Sequence, residues 1–111
     1  MRKPDSFLRN SSVIKKYRVT LTLTARTDLN RIFYYIAADS PPKALTFIEE
    51  IEEKVHSLGT LPDRQPLIPE NVFVGADYRH LVYKKYRIIY RISGNDVYIL
   101  RIFHGSKLLD F

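Results

Sequence analysis

Ser40-Pro41-Pro42 interrupts the longest stretch of helical periodicity in the chain and carries its own restart signal. Proline cannot donate the backbone N–H that an ongoing helix needs, so the preceding helix must stop near Asp39. The same triplet opens a new helix well, because the serine hydroxyl caps it and proline's fixed φ suits the first turn. Before the break, Ala25, Leu29, Ile32, Phe33, Ile36 and Ala37 recur at helical spacing, with Thr24 as the expected cap and Asp28 near the positive end of the helix dipole. After it, Ala44, Ile48, Ile51, Val55 and Leu58 form a second apolar stripe. Glu49, Glu50, Glu52 and Glu53 then face mostly solvent, and Glu50 is spaced to pair with Lys54. Gly59 is placed to follow the second helix as its C′ residue, and Pro62 closes the exit. Two helices with so short a joint must fold as an antiparallel hairpin.

The flanking segments have a different period. In YRVTLTL, Tyr17, Val19, Leu21 and Leu23 alternate with Arg18, Thr20 and Thr22, which predicts a strand with one buried face. Residues 60–77 hold Pro62, Pro66, Pro69 and Gly75 and read as irregular. The period of two then returns in YRHLVY and YRIIYRI, which only Lys84 and Lys85 separate, as expected of a tight hairpin. SGND at 93–96 reads as a turn, and VYILRIF runs on to His104. In the strand Tyr86–Ile92, Tyr86, Ile88, Tyr90 and Ile92 share one face, while Arg87, Ile89 and Arg91 share the other. The order is β-α-α-β-β-β, an α+β domain.

Composition limits the function classes. A chain of 111 residues has room for one domain, assigned to 17–111, with 1–16 as a flexible or weakly docked polar arm. The chain has no cysteine, so neither a disulfide framework nor zinc-knuckle spacing enters. That suits a reducing cytoplasm. No run approaches the ~20 apolar residues of a membrane span, so a soluble cytoplasmic protein without a membrane partner is expected. Eighteen Lys and Arg against twelve Asp and Glu leave a net charge of +6, which favours an anionic partner.

The string YRVTLTLTARTDLNRIFYYIAADSPPKALTFIEEI, with its Leu-Thr-x-x-Ala step and SP-x-x-A restart, resembles the opening of the RelE/ParE superfamily of toxins. Gly75, Arg79, YRIIYRI and the closing ILRIFHGSK are similar to the family's later strands, so the resemblance spans residues 17–107. It implies the toxin of a bacterial type II toxin–antitoxin module, with a helical hairpin packed on a small, mainly antiparallel sheet. The implied partner is a cognate acidic antitoxin. The ParE branch poisons DNA gyrase, whereas the RelE branch cleaves messenger RNA on the ribosome.

Metal-free RNA cleavage needs a base, an acid and cations for the phosphate, roles suited to His, Lys, Arg and Tyr. Arg79, Arg87, His104 and Lys107 are the candidates for that alternative, and the resemblance aligns Arg87 with an arginine of RelE-type nucleases. Yet the lysine-rich pair of the nuclease branch has only Arg79 here, with Leu81 in the other place. Arginine forks hold carboxylates as well as phosphates. The reading adopted is therefore a ParE-like toxin that binds protein, with Arg87, Arg91, Arg101, His104, Lys107, Phe33 and Phe47 as antitoxin- or target-binding residues. A third reading is an inactive homologue that binds only its antitoxin. The three histidines have no short metal-ligand spacing, and neither metal nor cofactor is implied.

Overall fold

A computed structural model describes residues 14–70 and 77–106. Its elements are β1 (Arg18–Leu21), α1 (Leu23–Ala37), α2 (Pro41–Ser57), a 3₁₀ turn (Pro62–Arg64), β2 (Arg79–Tyr83), β3 (Tyr86–Ser93) and β4 (Asp96–His104). The expected β-α-α-β-β-β order holds. The sheet runs β1-β4-β3-β2, with β1 parallel to β4 and the other two pairings antiparallel. Both helices lie on one face.

The first strand is shorter than its alternation predicts. Thr22, not Thr24, caps α1: its Oγ1 accepts from the Ala25 N–H at 3.2 Å and donates to the Ile99 carbonyl at 2.9 Å. One hydroxyl thus ends the strand and starts the helix, and Leu23 becomes a helical residue that is 80% exposed rather than a core residue. Ser40 behaves as expected, its side chain accepting from the Lys43 N–H at 3.3 Å, with proline in the first turn of α2. Gly59 needs its small size rather than a left-handed φ. Its carbonyl accepts from the Tyr17 N–H at 2.9 Å, and a Cβ there would stand 3.3 Å from the His56 carbonyl oxygen.

Ala25, Phe47, Ile51, Val55 and Leu58 of the helical layer close on Ile88, Tyr90, Val97, Ile99 and Ile102 of the sheet. Each fully buried side chain of this size contributes about 1.5–3 kcal/mol. Tyr90 lies in this core with its hydroxyl donating to the Pro62 carbonyl, and burial pushes its pKa up to about 12. The opposite face carries a smaller cluster of Ile68, Ile89 and Phe103.

Two turns close the sheet. Lys84 takes the left-handed φ (53°) that the β2–β3 hairpin demands, and Gly94 (φ 60°) serves the β3–β4 turn. A bulge interrupts β4, where Leu100 and Arg101 together stand against Ile89. Simple alternation along VYILRIFH therefore fails: Val97 and Ile99 share their face with Ile102 and His104, not with Phe103.

Candidate functional site

The expected cations do not share one open surface. Arg87 is buried, and its guanidinium makes a bidentate pair with Glu70, with both N–O distances at 2.8 Å. Its Nε–H donates to His80 Nδ1 at 3.1 Å. Arg87 is thus already engaged by its own chain, contrary to the expectation that it lies open beside Arg91. His80 must be neutral at Nδ1 to accept this bond, and burial, then the adjacent Arg87 charge, holds its pKa below the usual histidine range.

Arg101 is also satisfied internally. Its Nε–H and Nη–H reach the Asp28 carboxylate at 2.8 and 3.2 Å, and that hydrogen bonding raises its pKa. Asp28 sits on α1 and also accepts the Ile102 N–H at 2.9 Å. β1 ends at Leu21, so this stretch of β4 lacks a strand neighbour, and the Asp28 carboxylate caps its free edge. The periodicity carried the signal for Asp28, since it falls between Ala25 and Ile32 on the stripe that faces the core. A carboxylate there requires a cation partner.

Arg91 is exposed, paired in register with the part-exposed Tyr98. It is the expected arginine that stays available among the described residues. Arg79 is structural: its guanidinium donates to the Gln65 carbonyl at 2.6 Å and ties residues 60–70 to the sheet. Phe47 is 7% exposed and packs against Tyr83 and Tyr86, so it belongs to the core rather than to a partner surface. Glu50 bonds the Tyr83 hydroxyl and pairs with Lys84 at 3.3 Å instead of Lys54. Lys107 and Gly75 lie outside the described residues.

His104 is exposed. Its Nδ1 accepts from the Ser106 N–H at 3.2 Å and lies 2.8 Å from Ser106 Oγ, while its ring meets Tyr86 edge-on at 5.7 Å. Gly105 donates to the Lys85 carbonyl at 2.6 Å, where a Cβ would stand 3.2 Å from that oxygen, so the end of β4 is pinned to the hairpin tip. The result is a hollow of about 510 Å³ with His80, Lys85, Arg87, His104 and Ser106 on its walls. Arg101 points elsewhere, towards Asp28.

A second concavity, about 700 Å³, runs along the helical hairpin. Phe33, Tyr34 and Arg26 of α1 line one side, and Leu45, Glu52 and His56 of α2 line the other. Phe33 is half-buried and edge-on to Tyr34 at 5.3 Å, whereas Tyr34 and Leu45 are 70% and 60% exposed. Apolar side chains this open on adjacent helices form a surface that water covers poorly. Tyr34 and Leu45 were absent from the sequence-derived candidates, although Tyr34 directly follows Phe33. No described helix is long and apolar enough to cross a membrane.

No curated protein sequence matches the chain significantly. Among solved structures, a chain of a chromosomal ParDE toxin–antitoxin system from P. aeruginosa is similar, with a TM-score of 0.67 and 26% identity over 80% of this chain and 96% of that one. A chain of the toxin–antitoxin complex RelBE2 from Mycobacterium tuberculosis superposes with a TM-score of 0.56 and 30% identity, covering 84% of this chain and 95% of that one. The family model of the ParE toxin of the type II toxin–antitoxin system parDE matches residues 19–109, from within β1 to beyond the described end of the last strand. The chain therefore belongs to that family and is a ParE-type toxin of a type II toxin–antitoxin system.

Proposed function

We propose that this toxin acts by gripping a protein target rather than by cutting RNA, and that a cognate acidic antitoxin neutralises it. The observation that carries this reading is the state of Arg87. A phosphate-binding arginine must offer its fork to the ligand, but this fork is buried and committed to Glu70 and His80. DNA gyrase is the target that the family implies. The similar solved structures come from toxin–antitoxin systems, which supports an antitoxin partner. The helical-hairpin groove, with Phe33, Tyr34 and Leu45, suits an amphipathic antitoxin segment, while Arg91 suits its carboxylates. A stable complex of this kind buries more than roughly 1,000 Å².

One observation favours the ribosome-dependent nuclease as a second reading: Arg87 and His104 line the same hollow. A single experiment separates the readings. Induction in cells should trigger DNA-damage signalling with transcripts intact. Transcript cleavage that disappears in His104→Ala would install the nuclease, and no growth arrest at all would leave an inactive homologue that binds only its antitoxin.

A further inference from the structure

The groove on the helical hairpin is polar at one end and apolar at the other, and its two walls differ in charge. Arg26 of α1 and Glu52 of α2 lie equally far from the joint at Asp39, so in an antiparallel hairpin they stand level across the polar end. Phe33 and Leu45 are likewise level, and with Tyr34 they form the apolar end near the hairpin tip. On α2, Glu49 shares a helical row with Leu45, Glu52 and His56. Arg26, Glu49 and Glu52 are exposed, and none of them has an ion pair among the described residues. The four glutamates within residues 49–53 also make this the most acidic stretch of a chain whose net charge is +6.

These features constrain the occupant. A segment acidic throughout is repelled by Glu49 and Glu52, and a segment basic throughout is repelled by Arg26. A second copy of the chain meets both walls with the opposite charge. Under a two-fold axis running along the groove, α1 of each copy faces α2 of the other at the same level. Arg26 then lies against Glu52 of the second copy and Tyr34 against its Leu45, in both directions at once. An axis across the groove would instead set the apolar end of one copy on the polar end of the other, so only the first arrangement matches charge and apolar surface together. Two copies of net charge +6 repel each other over most of their surface, and the acidic α2 wall is where that repulsion is relieved.

We propose that two copies of this toxin pair through their α1–α2 faces about that axis, with Arg26–Glu52 contacts between copies at one end and a seam of Phe33, Tyr34 and Leu45 at the other. A helix of 15 residues is about 22 Å long and about 10 Å wide, so two of them side by side offer a flat footprint of roughly 450 Å² per copy. That lies at the low end of interface sizes, where association is transient. The dissociation constant therefore falls in the micromolar range. The same groove receives the antitoxin segment in the functional reading above, and the following consequence rests on that reading. Pairing covers the groove of toxin that has no antitoxin, and the antitoxin must displace the second copy to bind. Its apparent affinity falls in proportion to the fraction of grooves left open.

Sedimentation velocity on the full chain without antitoxin tests the pairing. A monomer–dimer equilibrium is expected between about 1 and about 100 µM. Arg26→Glu and Glu52→Arg each turn two attractions into two repulsions and should weaken pairing roughly tenfold or more. An equimolar mixture of these two variants should pair again as wild type does, because every contact between unlike copies is then attractive. Both residues are exposed, so the urea midpoint of each variant should match wild type, which separates lost pairing from lost fold. A wild-type chain that stays monomeric up to about 100 µM overturns the proposal. So does a dimer indifferent to both charge reversals, and so do single variants whose lost pairing the mixture fails to restore. A titration with the antitoxin, the product of the adjacent reading frame, should show weaker apparent binding as toxin concentration passes the dimer constant. If the toxin pairs as described but antitoxin affinity is independent of toxin concentration, the dimer stands, the competition is refuted, and the antitoxin's seat lies elsewhere.

Discussion

Replacing Arg87 by methionine tests whether this arginine serves the fold or a ligand. The Arg87–Glu70 pair is about 8% exposed on both side chains and bidentate at 2.8 Å. Removing one member of a buried pair takes a bidentate counter-charge from the other, which costs up to about 3–5 kcal/mol. Replacing both removes that penalty, so Arg87→Met/Glu70→Gln should be less destabilised than the sum of the singles, with a coupling energy of about 2 kcal/mol or more. Urea unfolding is the assay. With an m-value of about 1.5 kcal/mol/M, a 3 kcal/mol loss moves the midpoint by about 2 M. His80 adds a control: its Nδ1 loses a donor in Arg87→Met but keeps it in Glu70→Gln, so the arginine variant should be the worse of the two. A residue kept for phosphate would behave differently, with an unfolding free energy within about 0.5 kcal/mol of wild type and only activity lost. That result, or additive singles, would refute the structural role of Arg87 and weaken the protein-binding reading with it.

Further expectations concern other named groups. Arg91→Glu should leave the unfolding midpoint unchanged but slow antitoxin association and flatten its salt dependence, measured by stopped flow at low and high salt. Asp28→Asn removes the charge that Arg101 and the β4 edge share, and should destabilise the fold by about 3–5 kcal/mol in urea unfolding. The His80 pKa is lowered in the folded state, so below pH 6.5 the unfolded chain binds more protons. Stability should therefore be full above that pH and fall as the pH drops, and His80→Gln should lack this component in urea titrations against pH. Phe33→Ala or Leu45→Ala should raise the antitoxin off-rate far more than they lower the on-rate, read by surface-binding kinetics.

Local signals were legible in the sequence, and non-local ones were not. Ser40-Pro41 announced its helix start because a cap and a fixed φ are properties of adjacent residues. The place of Phe47 was legible too: it falls three residues after Ala44 and four before Ile51, on the buried stripe, and aromatic character alone had marked it as a partner residue. Thr22 was not legible. Both Thr22 and Thr24 can cap, and the choice is made by the Ile99 carbonyl, 77 residues away, which accepts the Thr22 hydroxyl. The β4 bulge likewise depends on strand pairing, and without it alternation assigns Ile102 to the wrong face. His104 and Arg101 lie three residues apart on the regular stretch beyond the bulge, so they leave opposite faces, and Asp28 holds the Arg101 guanidinium.

The arginines show why a net charge of +6 does not by itself locate a binding surface. Arg87 and Arg101 lie at places where the backbone brings a carboxylate within reach: Glu70 at the end of a proline-rich segment 17 residues earlier, and Asp28 on a helix 73 residues earlier. In each case the low-dielectric surroundings favour the nearest fixed anion over an ion from solvent. Arg18, fully open at the other end of the sheet, pairs with Asp96 at 2.9 Å, but an exposed pair of this kind is easily exchanged for another partner. Arg91 lies on a strand whose neighbouring position across the register is Tyr98, which offers a hydroxyl and a ring but no charge. A basic residue beside an aromatic one on an exposed sheet face is the combination that protein interfaces use as an anchor. Of the three arginines expected on this sheet, Arg91 is the one that no carboxylate of the described residues engages, and it lies on the sheet face opposite the helical hairpin. An antitoxin that engages both Arg91 and the groove must therefore pass around an edge of the sheet, which calls for an elongated, wrapping partner rather than a compact one.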